Sequence, residues 1–185
     1  MPIYWTHEPY AWQLEVLRSK ARIRMVQGPP DAGKTQMACD ALMAYKSAPL
    51  NALYLVADEH ERQRVSQILD FGGRKQVIVG IGIGSNISNS VMNYATSESA
   101  NPLTLVIDQP EVIWPNAYDF PDSILQGILA GYAKFIIVGR YLRQPDTFTG
   151  WLWDMIEKMN NPDIGQAWLA PPLEDWKRTF TFSWR

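Results

Sequence analysis

The chain predicts an α/β fold, a largely parallel β-sheet with helices on both faces. Three observations carry that expectation. Short apolar runs of strand length alternate with helical segments, a glycine-rich loop joins the first strand to the first helix after it, and no linker or composition break divides the 185 residues. One domain over residues 1–185 therefore accounts for the chain. At 46% hydrophobic and 19% charged residues it has the means to bury roughly 70% of its unfolded surface.

The first strand is RIRMVQ, residues 22–27, which alternates and stops at Gly28. TQMACDALMAYKSA (35–48) follows as a helix with an apolar stripe over Met37, Ala38, Ala41, Leu42 and Tyr45, closed by Pro49. NALYLVAD (51–58) is a second strand, EHERQRVSQILDFGG (59–73) a helix burying Val65, Ile68 and Leu69, and KQVIVGI (75–81) a third strand. Residues 84–102 are rich in Ser and Asn and read as a loop or weak edge strands. LTLVID (103–108) is a fourth, buried strand. DSILQGILAGYA (122–133) is a short helix, KFIIVGR (134–140) a fifth strand, TFTGWLWDMIEKMN (147–160) a helix, and RTFTFSW (178–184) a closing strand of period two.

Charge and composition bound the function. A formal net charge of −2 provides no global attraction to polyanions, so contact with nucleic acid needs a local cationic patch. Cys39 is the sole cysteine and cannot form a disulfide within the chain, which suits a reducing, cytoplasmic setting. No run approaches the roughly 18 apolar residues of a membrane span, and the N-terminus has no secretion-signal pattern. The eight tryptophans are expected mainly in packing.

The chemistry concentrates at GPPDAGKTQ, where Gly28, Gly33, Lys34 and Thr35 match G-x-x-x-x-G-K-[ST] between a strand and a helix. Backbone N–H groups of such a loop face phosphates, the helix N-terminus adds positive potential, Lys34 reaches the β and γ oxygens, and Thr35 ligates magnesium. Gly28, Pro29, Pro30, Asp31, Ala32, Gly33, Lys34, Thr35 and Gln36 are thus the expected nucleotide-binding residues, with ATP and Mg2+ as ligands. An ordinary strand-to-helix turn bearing an exposed lysine is the bland alternative. Asp31 is discordant in a phosphate nest, and Pro29 and Pro30 are expected to stiffen the loop so that it points outward.

Asp108, ending a buried strand, is the expected second magnesium residue, or else it merely starts a turn before Pro110. Gln109 can orient a water but cannot take its proton near neutral pH, so hydrolysis is expected to be slow unless Glu111 approaches the water. Glu111 also fits a solvated turn. Arg140 and Arg143 follow the fifth strand at the edge where a phosphate sensor would sit, and fit surface residues equally well. Upstream, Tyr10 or Trp12 can stack on a base with Gln13 bonding its edge, or pack in the core.

In order and spacing these pieces resemble the ATPase domain of the large terminase subunit, the DNA-packaging motor of tailed bacteriophages. The likeness runs from EPYAWQLEVL through GPPDAGKT, LYLVADEHERQRVSQIL, GSNIS and LTLVIDQPEVI to KFIIVGRYLRQPDTFTGWLWDMI, about residues 8–160. It implies a P-loop ATPase driving double-stranded DNA, with subunits in a homo-oligomeric ring gripping phosphates through cations such as Arg62, Arg64, Arg74 and Lys75. Gln109 stands where the family has its catalytic glutamate, Gly139 and Arg140 where it has a small hydroxyl residue, and Asp31 where it often has an arginine. The resemblance leaves Arg140, Arg143 or a neighbouring subunit as the source of an arginine finger. The family's nuclease domain has no counterpart in these residues, so the chain reads as a fragment or as a stand-alone ATPase. Two further readings stand beside the motor. One is a nucleotide-gated assembly module with little hydrolysis; the other, a small-molecule kinase, lacks more than the short GRYLRQPDTF as a lid.

Overall fold

The structure, a computed structural model, describes residues 9–43, 52–71, 77–81, 103–116, 122–131, 133–140, 144 and 146–172. Among the described residues there are six strands: β1 (Ile23–Gln27), β2 (Ala52–Val56), β3 (Ile78–Ile81), β4 (Leu103–Asp108), β5 (Ala133–Gly139) and β6 (Gly165–Leu169). The helices are α1 (Ala11–Arg18), α2 (Lys34–Met43), α3 (Glu59–Phe71), α4 (Pro110–Ile113), α5 (Asp122–Ala130) and α6 (Phe148–Met159). The strands form one sheet in the order β3-β2-β4-β5-β1-β6, parallel at every pairing. Among the described residues no helix is long and apolar enough to cross a membrane.

Every residue of β1, β2 and β4 is buried, as a sheet covered on both faces requires. Alternate side chains divide between two cores. Val26, Tyr54, Val106, Ile136 and Val138 pack against Val16 of α1, Met37 and Leu42 of α2, and Val65 and Leu69 of α3. Met25, Leu105, Ile107, Phe135 and Ile137 pack on the opposite face against Ile113 and Trp114 at α4, Ile128 of α5, and Phe148, Leu152 and Ile156 of α6. Register then aligns the chemistry: Gln27 sits beside Gly139, and Asp108 beside Val138. The ends of β1, β5 and β4 thus form one continuous carboxyl edge.

Sequence expectation and structure differ at particular elements. Strand β6 lies in GQAWL, which holds one glycine and one glutamine and lacks an apolar alternation strong enough to announce itself. It is an edge strand paired to β1 alone, with Ala167 and Trp168 packed against opposite cores. The expected closing strand 178–184, the loop 84–102, and residues 44–48 of the expected helix 35–48 lie outside the described residues. Helix α1 has no Ser, Thr, Asp or Asn cap to mark it; Tyr10 begins it, its amide donating to Gln13 Oε1 at 2.9 Å.

Helix α6 is bounded more conventionally. The Thr147 hydroxyl accepts from the Gly150 amide at 3.1 Å, and Asn160 ends the helix in the left-handed region at φ 44°. A β-carbon at Gly150 would overlap the backbone carbonyl of Gln144, which cannot swing away as a side chain can. In an open helix Gly→Ala gains about 1 kcal/mol, but overpacking costs about 1–3 kcal/mol. Gly150→Ala is accordingly expected to lower the urea midpoint, not raise it, at an unchanged m-value.

Candidate active site

The glycine-rich loop is fixed at both ends before any ligand is considered. At its start the Gly28 amide donates to the Gly139 carbonyl at 3.2 Å, binding β1's exit to that of β5. A β-carbon on Gly28 would lie 2.8 Å from both the Cβ and the carbonyl oxygen of Ala170, so only glycine fits there. Asp31 at φ 59° and Gly33 at φ 72° turn the chain through left-handed conformations, and α2 starts at Lys34. At the far end Gln13, fully buried, donates from Nε2 to the Gly33 carbonyl at 3.0 Å and accepts the Tyr10 amide at 2.9 Å. Gln13 therefore straps the loop to α1, which differs from the open base-edge contact expected of it.

Lys34 Nζ donates to the carbonyls of Gly28 and Pro29 at 3.1 and 2.5 Å. Burial lowers its pKa, opposed by the carboxylates of Asp108, Glu111 and Asp31 and reinforced by Arg140. Thr35, one residue on, donates its hydroxyl to Asp108 Oδ2 at 2.6 Å, and Tyr54 from β2 donates to the same oxygen at 3.1 Å. Burial pushes the Asp108 carboxyl up to about 6, while the Thr35 and Tyr54 hydroxyls and the Arg64 charge pull it back. Burial likewise raises the Tyr54 phenol well above its ordinary value, keeping it a donor.

Beyond Asp108 the chain turns sharply. Gln109 is left-handed at φ 60° and donates its amide to Val138 at 2.9 Å. Its carbonyl accepts from Val112 at 2.9 Å, opening the one-turn helix α4. Glu111, on that turn, is only 10% exposed. Its Oε1 accepts the Arg140 amide at 3.3 Å and lies 3.9 Å from Arg140 Nε, while Oε2 is buried with no hydrogen-bond partner. That carboxylate occupies the space that a side chain at Gly139 would need: a β-carbon there would meet Oε2 at 2.7 Å and Pro110 Cδ at 2.9 Å. The solvated-turn reading of Glu111 does not describe this position.

These groups line one cavity of about 300 Å³, formed by Pro30, Asp31, Lys34, Thr35, Glu61, Arg64, Asp108, Gln109, Glu111, Gly139 and Arg140. Of the sequence-predicted residues, Gly28, Pro29, Ala32 and Gly33 frame the loop beneath it. Asp31 is exposed, as expected, though it still borders the cavity. Gln36 donates along α2 to Asp40 at 3.1 Å. Arg140 reaches the cavity with 70% of its side chain exposed; Arg143, Arg74 and Lys75 lie outside the described residues.

Glu61, Arg64 and Tyr54 join the site although the sequence does not single them out for it. Helix α3 begins three residues after β2 ends, so its first turn has to stand at the carboxyl edge of the sheet. Glu61 and Arg64 also flank the buried Val65, a position that a helical projection places next to the site.

The donor set suits MgATP. Thr35 and Asp108 present a hydroxyl and a carboxylate in contact, the hard oxygen ligands magnesium takes when nucleotide phosphates complete its shell. No cluster of three or more His, Cys, Asp or Glu able to hold a metal occurs among the described residues. The left-handed turns at Asp31 and Gly33 lead directly into the N-terminus of α2, an arrangement suited to an anion.

Solved structures place this architecture. The ATPase domain of the large terminase from Thermus phage P74-26 superposes over 93% of this chain and 84% of its own, with a TM-score of 0.55 at 11% identity. The large terminase of bacteriophage HK97 gives a TM-score of 0.58 at 14% identity, over 93% of this chain and 42% of the terminase. The fold is that of a terminase ATPase domain. No protein-family model and no curated protein sequence matches the chain. The terminase-like fold puts the loop, Asp108 and the end of β5 on one edge, where ligands of parallel α/β sheets gather.

Asp108 links the site to stability. Its folded pKa of about 6 exceeds the ordinary 3.8, so the folded chain holds the proton more tightly than the unfolded chain. The resulting stabilisation is complete below pH 3.8 and is lost as pH rises through 6, a difference on the order of 2–3 kcal/mol. Asp108→Asn retains an acceptor for both hydroxyls. Without nucleotide it is expected to unfold at higher urea than the parent at pH 7.5, with the advantage vanishing near pH 4.

Proposed function

We propose that the chain is a P-loop ATPase that binds MgATP in this cavity and uses its hydrolysis to move double-stranded DNA, as a packaging motor working in a ring of subunits. The observation that supports the ATPase half is the convergence of Lys34, the Thr35–Asp108 contact and the Glu111 side chain on one cavity. The DNA half rests on likeness of fold to terminase ATPase domains and on the order of the motifs.

The chain's own residues divide the labour as follows. The loop amides and Lys34 hold the β and γ phosphates, with Lys34 leaving the Gly28 and Pro29 carbonyls to do so. Thr35 and Asp108 would hold magnesium, which when bound would neutralise charge on the phosphate oxygens. Gln109 orients the attacking water by hydrogen bonds, and the Glu111 carboxylate, which lines the cavity, takes its proton, the step an amide cannot perform. Glu111 Oε1 starts from the Arg140 amide.

Gln109, following Asp108 where an acid would be expected, favours a second reading in which ATP stays uncleaved and gates assembly. Phosphate release from MgATP, with and without duplex DNA and beside Lys34→Ala, separates the two. Turnover that requires Lys34 and rises with DNA supports the motor; tight binding without turnover supports the gate. Within the motor reading, Glu111→Gln is expected to lower kcat by about 10²–10⁴ with little change in KM, and Gln109→Glu to yield no comparable gain. A large gain from Gln109→Glu would return the missing base to position 109.

A further inference from the structure

Helix α3 carries two arginine–glutamate pairs of identical spacing, and they lie in different surroundings. Arg62 and Glu59 pair out on the surface, with side chains 42% and 51% exposed. Arg64 and Glu61 pair at the nucleotide cavity, where both side chains line the wall, Arg64 46% and Glu61 17% exposed. The Arg64 guanidinium grips Glu61 Oε2 through Nε and Nη2 at 2.9 and 2.6 Å, and Nη2 also donates to Thr35 Oγ1 at 3.3 Å. A solvated helix face has no reason to send a guanidinium onto the hydroxyl next to the loop lysine.

We propose that Arg64 is the in-chain arginine that contacts the terminal phosphate of bound ATP, with Glu61 holding it beside the site. This rests on the nucleotide-binding reading above. The Thr35 hydroxyl has one hydrogen, which goes to Asp108, and Arg64 uses one of its lone pairs. A magnesium ligated by Thr35 takes a lone pair of the same oxygen. A phosphate held beside Lys34 and Thr35 in this cavity would lie within reach of a guanidinium that already stands 3.3 Å from the Thr35 hydroxyl. Phosphate also offers the planar fork of Arg64 a better acceptor than a neutral hydroxyl. Arg64 thus exchanges Thr35 for phosphate when the site fills, and it stays on Glu61 throughout. The guanidinium is supplied from α3, neither from the loop, where Asp31 stands, nor from the end of β5.

The contact predicts discrimination between triphosphate and diphosphate, read by equilibrium binding. Titrations with the non-hydrolysable analogue AMP-PNP and with ADP, both with magnesium, compare the parent chain with Arg64→Ala, Arg64→Lys, Lys34→Ala and Arg62→Ala. Arg64→Ala is expected to weaken AMP-PNP by about 10- to 100-fold and ADP by less than about 3-fold, the loss of one charge-assisted phosphate contact. Lys34→Ala weakens both nucleotides, and Arg62→Ala neither. Arg64→Lys, which keeps the charge and loses the fork, falls between parent and Arg64→Ala, and its AMP-PNP to ADP ratio decides between the outcomes if the alanine variant does not fold. Equal weakening of both nucleotides, or no change in either, in the Arg64 variants overturns the proposal while leaving nucleotide binding intact. A parent chain that binds neither nucleotide overturns the nucleotide reading and this inference together.

Discussion

The buried carboxylate of Asp108 is the constraint around which the site is arranged. A carboxylate at the end of a strand buried on both faces cannot remain charged without donors, and burial alone drives it towards protonation. The sheet answers with donors from two other elements, Tyr54 of β2 and Thr35 of α2. Those two hydroxyls hold β2, α2 and β4 in a fixed relation at the carboxyl edge. Because Thr35 follows Lys34 directly, fixing it also fixes the lysine and the turn of the loop. A group that is costly to bury thus orients the parts that would use it.

Two straps support this arrangement from outside the charged cluster. Gln13 reaches from α1 to the Gly33 carbonyl, and the end of β6 closes against Gly28 with the Ala170 amide on the Gln27 carbonyl at 2.8 Å. Between them the loop is confined on one side by a helix and on the other by an edge strand. A preorganised loop loses less conformational freedom on taking up phosphates than a slack one. The cationic and anionic groups are likewise spread around the cavity: Lys34, Arg64 and Arg140 against Asp31, Glu61, Asp108 and Glu111.

Much of this is legible from residue order, and what is not has identifiable physical causes. The α/β alternation and the loop are readable because each is a local pattern, a strand of apolar residues or a fixed spacing of Gly, Lys and Thr. Asp108 is readable because a lone acid ends an otherwise apolar strand. Strand β6 is not, since GQAWL lacks a strong apolar alternation. The role of Gln13 is hidden because its partner, Gly33, is twenty residues away, and its neighbours Tyr10 and Trp12 suggest base stacking. Arg64 reads together with Arg62 as part of a solvated, DNA-facing helix surface. Two positions along a helix rotate a side chain by about 200°, enough to separate a surface pair from a site pair.

The pairing of Gly139 with Glu111 ties two distant positions to one slot. The carboxylate lies where a β-carbon at 139 would project, and the Pro110 ring blocks the other way out. Any side chain placed at 139 would re-aim the acid at 111, and removing that acid would open part of the slot. A substitution at either position is thus felt at the other, although about thirty residues of chain separate them.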